Sequence, residues 1–165
     1  MEKTRKYFED IPGLDTPDGW QRFLDFVLWY ACGPTDGFTL SFRADPPAVA
    51  RVEDFRDSQW GFLYPSAHSQ EVTDRTALPL GGPVRLLYFD FTPAAVRFLR
   101  ALSSVYDLED TEETPAGPRW MADLAFYKSG HCFSASRTDT RTCGIDQAVL
   151  NLLQKADSPA TSQKG

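Results

Sequence analysis

The chain has 165 residues, of which 42% are hydrophobic and 24% are charged. This is typical of one globular domain that buries a core without metal or disulfide support. The net charge of −6 repels phosphate, so nucleic acid binding is not expected. No run reaches the roughly 18 apolar residues of a membrane span, so no membrane contact is expected either.

Two features of the chain bear on its compartment. The first ten residues, MEKTRKYFED, are mostly charged or polar and contain no apolar run, so no secretory signal peptide is expected. The cysteines are Cys32, Cys132 and Cys143, an odd number that argues against a secreted disulfide framework. We therefore predict a cytoplasmic protein.

The first predicted helix follows Thr16 and Pro17, which suit its cap and its first turn, and Gly33-Pro34 ends it. Residues 23–30 are apolar on nearly every side, so the helix should be buried or covered by a partner. Residues 37–43, GFTLSFR, alternate apolar and polar side chains, which predicts a half-buried strand.

The middle of the chain is less regular. Residues 46–57, PPAVARVEDFRD, favour a short helix, and residues 60–65, WGFLYP, form either a strand or an aromatic loop. Residues 66–83 are polar and then rich in Pro and Gly, which indicates a long surface connection. Residues 84–91, VRLLYFDF, contain a continuous apolar run and predict a central strand.

A second cap and proline, Thr92-Pro93, precede a predicted helix over residues 94–108. Its predicted inner stripe is Val96, Leu99 and Leu102, with Val105 or Tyr106. An acidic loop, a hairpin and a last helix over residues 144–156 follow. We predict one α+β domain over residues 1–156, with a mostly antiparallel sheet packed against three to four helices. Residues 157–165 have the composition of a flexible tail.

Residues 125–144, AFYKSGHCFSASRTDTRTCG, concentrate side chains that could carry chemistry. Ser129-Gly130 predicts a two-residue turn in which Lys128 faces His131. This register makes one apolar face from Leu124, Phe126, Phe133 and Ala135. A three-residue loop with a left-handed Gly130 is the alternative, but it mixes the apolar and polar faces.

His131 and Cys132 point to opposite faces in either register, so they cannot form a nucleophile–base pair. With Cys143 they also lack the paired spacing of a zinc site. Motifs for nucleotide binding, metalloproteases and serine hydrolases are missing. No catalytic residue, metal or cofactor is predicted.

A small enzyme or ligand-binding domain is the alternative interpretation. Its site would combine His131 or His68 with the polar segment Arg137–Cys143. That segment resembles an anion cradle, although it lacks glycines that would let backbone N–H groups converge on a phosphate. A solvated loop is the simpler interpretation.

The acidic loop is a stronger candidate for function. Five of the seven residues in DLEDTEE are carboxylates: Asp107, Glu109, Asp110, Glu112 and Glu113. Acid–base catalysis needs a cleft and shifted pKa values, which a flexible run seldom supplies. A solvated loop is again the simpler interpretation, but clustered carboxylates also suit a basic protein surface, where they speed association and select the partner. A nuclease groove is one such surface.

The hairpin sequence DLAFYKSGHCFSASRTDT, in a small acidic chain without catalytic motifs, resembles the strand pairs of some bacterial toxin-immunity proteins. The resemblance implies a non-enzymatic protein that neutralises a bacterial toxin by occluding its active site. The implied partner is a basic toxin domain, which would face the carboxylates. Trp60, Phe62 and Tyr64 would be apolar anchors, unless they belong to the core. The apolar first helix also permits a scaffold or a dimerising module.

Overall fold

The computed structural model describes residues 5–8, 14–43, 55–66, 68–72, 84–109, 113–114, 117–118, 121–138 and 141–156. These residues form an antiparallel sheet with helices packed against it, so the predicted α+β class is confirmed. The tail predicted at residues 157–165 lies outside the described residues. So does most of the helix predicted at residues 46–57.

Nine strands are described. They are β1 (Arg5–Phe8), β2 (Gly37–Arg43), β3 (His68–Val72), β4 (Val84–Asp90), β5 (Glu113–Thr114), β6 (Gly117–Pro118), β7 (Asp123–Lys128), β8 (His131–Arg137) and β9 (Thr142–Asp146). Seven of them make one sheet in the order β1-β9-β8-β7-β2-β4-β3. Every neighbouring pair in it is antiparallel. Strands β5 and β6 form a separate short ribbon.

The described helices are α1 (Pro17–Tyr30), α2 (Pro93–Ala101) and α3 (Gln147–Ala156), with a 3-10 helix over Gly61–Ser66. Both predicted helix starts are confirmed. The Thr16 hydroxyl accepts a hydrogen bond from Gly19 N at 3.1 Å, and the Thr92 hydroxyl accepts one from Ala95 N at 3.2 Å. Each bond satisfies a backbone donor that the helix leaves without a partner.

Helix α2 is shorter than predicted, because it ends at Ala101 instead of continuing to residue 108. The Ser104 hydroxyl accepts a hydrogen bond from Tyr106 N at 3.0 Å, and such a local bond offers the backbone an alternative to the helix. The predicted inner stripe is also partly wrong. Phe98 is buried, whereas Val96 is only half-buried.

The helices and the sheet share one aromatic core. The Trp20 ring stacks on Phe126 with centroids 6.5 Å apart, and its indole N–H donates to Leu99 O at 2.9 Å. This bond ties α1 to α2 inside the core. A second, smaller cluster of Leu86, Ala125, Cys132 and Ala135 packs separately from it. Leu86 belongs to that cluster and its neighbour Leu87 to the main core, so the two clusters lie on opposite faces of the sheet.

Three sequence predictions for residues 37–72 need correction. Strand β2 is buried on both faces, including Thr39 and Ser41, because it lies between β7 and β4. Residues 61–66 form a 3-10 helix, neither a strand nor a loop. Part of the predicted surface connection is strand β3, which pairs with β4.

The turn of the β7–β8 hairpin is confirmed, but its register is not. Ser129 and Gly130 have φ values of 52° and 79°, and Lys128 pairs with His131. Beyond the turn the register shifts, so that Phe126 pairs with Ser134 instead of Phe133. This irregularity keeps Phe133 on the core face, where it stacks on Phe126 at 6.3 Å, and moves Ala135 to the opposite cluster.

Candidate functional site

The acidic segment after α2 is anchored to the sheet at one point. Leu108 is buried, and its carbonyl accepts a hydrogen bond from Ala122 N at 2.9 Å. Glu109, next in the chain, forms an isolated bridge with Met121. This part of the predicted flexible loop is therefore held against the entry to β7.

Two of the five predicted carboxylates lie at this anchored surface. Asp107 and Glu109 are exposed, and Asp107 Oδ2 accepts a hydrogen bond from Ser103 N at 3.2 Å. Glu113 belongs to β5, where its backbone pairs with Pro118. Asp110 and Glu112 lie outside the described residues. The described pair can present negative charge at the surface.

The aromatic residues predicted as anchors are divided between the core and the surface. Trp60 is half-buried, with its ring edge-on to Phe98 at 5.0 Å. Phe62 is 49% exposed. Tyr64 lies in the same 3-10 helix, although its side chain is outside the described part of the structure. Phe62 therefore offers more free surface than Trp60.

The largest exposed aromatic side chain of the described residues is Trp29 in the last turn of α1, at 67%. Sequence analysis missed it, because α1 is apolar on nearly every side. The pattern predicts a helix that is buried or covered by a partner, and only the tertiary packing shows which side is left open.

The residues of the alternative enzyme site are spread over the sheet. His131 is on β8 and His68 is on β3, four strand spacings or roughly 19 Å apart. Cys143 lies three residues, about 10 Å along the strand, from Asp146, which is the residue that His131 contacts. The two histidines and Cys143 are thus not brought together.

Several described side chains in and beside this polar segment have structural partners. His131 Nε2 lies 2.5 Å from Asp146 Oδ2. Burial raises the pKa of the Cys143 thiol to about 12, the opposite of what a nucleophilic cysteine needs. The Arg141 guanidinium stacks over the Tyr106 ring at 5.0 Å. Thr138 binds the backbone carbonyl of Ala122 through its hydroxyl at 2.6 Å.

An open cleft of about 460 Å³ lies where α1 ends, beside β2, the end of β4 and α2. Leu28, Phe91 and Val96 give it apolar walls. Asp36 and Asp90 give it two carboxylates, and the exposed Cys32 lies in its lining. Apolar walls with a few fixed polar groups are the usual composition of a binding pocket.

Asp36 is the best-held charge of the cleft. It is 3% exposed, and its two carboxylate oxygens accept hydrogen bonds from Gly33 N and Ser129 N, both at 2.9 Å. Lys128 Nζ lies 3.8 Å from Asp36 Oδ2 and donates to Tyr30 O at 2.8 Å. These contacts join the end of α1 to the turn of the β7–β8 hairpin.

Burial raises the pKa of Asp36. The hydrogen bonds from Ser129 and Gly33, together with the charge of Lys128, lower the pKa by a larger amount. The net pKa is below the ordinary value, so Asp36 is a carboxylate at neutral pH. The pKa of the Tyr88 hydroxyl is raised by burial and by the charges of Asp90 and Asp36. The charges of Asp36 and Asp90 therefore both act on the Tyr88 hydroxyl.

The backbone at the cleft requires glycine at one position. Gly37 pairs with Asp90, and a Cβ atom at Gly37 would lie 2.2 Å from Phe89 O. The sequence shows only a helix end and a turn in residues 31–37, ACGPTDG. That Asp36 and Asp90 meet follows from the pairing of β2 with β4, which no local pattern reveals.

None of the described helices is both long enough and apolar enough to cross a membrane. Across the described residues, no three His, Cys, Asp or Glu side chains are grouped so that they could hold a metal ion. No family model, curated protein or solved structure matches the chain.

Proposed function

We propose that this protein is a non-enzymatic binding protein that neutralises a bacterial toxin by covering the toxin's active site. Asp107 and Glu109 carry the proposal, because they are exposed on a backbone segment that the buried Leu108 holds in place. The partner we propose is a basic toxin domain, such as one whose groove holds phosphates. The proposed place of action is the cytoplasm.

The net charge of −6 would attract a basic partner over distances comparable with the Debye length, about 10 Å in dilute salt. Exposed carboxylates at the rim of an interface mainly raise the association rate. The anchored backbone contributes further, since less of the segment has to be ordered when the partner binds.

Aromatic side chains would supply the apolar contacts that charge alone does not. Phe62 projects from the 3-10 helix, and we propose Trp60 and Tyr64 as its neighbours in the interface. A few buried aromatic anchors often dominate the binding free energy of a protein interface. Steric occlusion needs no catalytic residue, which agrees with the dispersed positions of His68, His131 and Cys143.

Sequencing the genes beside this protein's gene and co-expressing the protein with a toxin domain encoded there tests the proposal. We expect the intact protein to restore growth and to bind that domain directly. The double variant Asp107→Asn/Glu109→Gln should lower the association rate about tenfold in dilute salt and less in concentrated salt. Binding kinetics measured on an immobilised toxin domain give both rates.

The matched control is Asp15→Asn/Asp18→Asn, which removes the same charge from two exposed carboxylates around the start of α1. The control should reduce the association rate much less, because the effect of a charge depends on its distance from the interface. Equal losses in the two double variants would show that only total charge matters. A neighbouring gene without a toxin domain, or unrelieved growth arrest, would overturn the proposed function.

A further inference from the structure

We infer that the cleft at the end of α1 is a receptor for the ammonium or guanidinium group of a lysine or arginine side chain from a protein partner. The assignment of that side chain to a toxin domain rests on the proposed function. The cation preference of the cleft rests on the structure of this chain alone.

The shape of the cleft suits a side chain with an apolar stem and a charged end. Leu28, Phe91 and Val96 form walls along which methylene groups can pack. The volume, about 460 Å³, is in the range of pockets that bind small groups. Since the cleft is open to solvent, a side chain can enter from a neighbouring surface.

The charge of the cleft is negative. The described part of its lining contains two carboxylates, Asp36 and Asp90, and no basic residue. Lys128 lies near Asp36 but is also bound to the carbonyl of Tyr30. Asp90 is exposed and makes no ion pair with any described residue. It is therefore the group that would meet an incoming cation, because the charge of Asp36 already faces Lys128.

Trp29 directly follows Leu28 of the cleft lining in the chain, and its side chain is 67% exposed. Tryptophan is enriched among the residues that dominate binding at interfaces. Its ring also attracts arginine and lysine through a cation–π contact. The end of α1 thus carries both an exposed aromatic side chain and part of the cleft lining.

Cys32 provides a direct reporter of this site. It is exposed and lies in the cleft lining, whereas Cys132 and Cys143 are buried. Methanethiosulfonate reagents react with such a thiol: the thiolate sulfur attacks the reagent, a mixed disulfide forms and methanesulfinate leaves. A trimethylammonium reagent and an uncharged methyl reagent differ in charge, so their rate ratio, divided by the ratio for free cysteine, measures the local potential.

We expect the trimethylammonium reagent to be favoured about threefold or more at Cys32, as a potential of one kT or more produces. Asp90→Asn should lower this preference about twofold. Asp18→Asn removes an equal charge at the other end of α1, about 18 Å away at 1.5 Å per residue, and should leave the preference unchanged. Mass spectrometry identifies the labelled cysteine.

Competition shows whether the site holds the proposed side chain. Nα-acetyl-arginine methylamide and its lysine analogue should slow the reaction of Cys32 with the uncharged reagent, and the norleucine analogue should not. Asp90→Asn should weaken this protection two- to fivefold, as for an exposed ion pair. No protection, or equal protection by norleucine, would overturn the inference, as would equal effects of Asp90→Asn and Asp18→Asn.

These measurements need no partner protein, so they separate the two proposals. Protection of Cys32 without toxin binding would overturn the proposed function. The side chain could then not come from a toxin, but the cation preference of the cleft would stand. Toxin binding that Asp90→Asn leaves unchanged would keep the proposed function and overturn the docking role of the cleft. Toxin binding weakened two- to fivefold by Asp90→Asn would support both.

Discussion

The cleft and the acidic segment both carry carboxylates, but they hold Asp36 and Asp107 in different ways. Asp36 is buried and accepts two backbone hydrogen bonds at 2.9 Å. Asp107 is exposed and accepts one at 3.2 Å. A buried carboxylate is costly unless such partners satisfy it, whereas an exposed one contributes little to stability. The first region therefore uses negative charge to hold the fold together, and the second has it available for a partner.

Deleting one carboxylate from each region should give the largest contrast. Asp36→Ala leaves the amides of Gly33 and Ser129 without their acceptor, and we expect it to lower the free energy of unfolding by about 3 kcal/mol. Asp107→Ala should cost about 0.5 kcal/mol. Urea denaturation followed by tryptophan fluorescence measures both, and similar values would mean that the two regions do not differ as described.

The glycine beside the cleft should show the next largest effect. In Gly37→Ala the new methyl group would meet Phe89 O at 2.2 Å, so strands β2 and β4 must move apart. We expect a loss of about 2 kcal/mol. Gly33→Ala is the milder comparison, since its Cβ would lie 3.2 Å from Asp36 Oδ2, a contact that a shift of a few tenths of an ångström relieves. If Gly37→Ala is no less stable than Gly33→Ala in the same denaturation experiment, the close approach is not real.

Protonation of Asp36 in acid should also lower the free energy of unfolding, but by less than Asp36→Ala does. A protonated Asp36 still fills its site and keeps one hydrogen-bond acceptor. The folded-state pKa of Asp36 lies below the ordinary value of 3.8. Its ionisation therefore contributes stability that is complete above 3.8 and is lost as the pH falls through the lower folded-state pKa. As the pH is lowered, the free energy of unfolding should fall less steeply for Asp36→Asn than for the unsubstituted protein. Parallel curves would contradict the assigned role.

The features that the sequence predicts well depend on neighbouring residues. Thr16 and Thr92 cap their helices as expected, and Ser129-Gly130 forms the expected turn, because each needs only a few residues of local chemistry. The shift of register at Phe126, the cleft and the exposure of Trp29 all depend on contacts between distant elements. Periodicity in one segment carries no information about those contacts.

The same distinction explains the candidate sites. The clustered carboxylates of residues 107–113 stand out in the sequence, although only Asp107 and Glu109 are described as exposed. The cleft is inconspicuous in the sequence, because Asp36 follows a helix end and Asp90 ends a strand more than fifty positions later. Only the pairing of Gly37 with Asp90 brings the two carboxylates together.

The hydrogen bond from Ser129 N to Asp36 spans 93 residues, and this has a consequence during synthesis. The ribosome delivers α1, β2, β4 and α2, and with them the walls of the cleft, before it delivers the β7–β8 hairpin. Until the hairpin docks, Asp36 lacks both the amide of Ser129 and the charge of Lys128. The nascent chain thus has the parts of its cleft early but completes the support of its innermost carboxylate late. Loss of the hairpin from the finished protein would reverse this last step, so the amides of Gly33 and Ser129 should exchange with solvent in the same opening event.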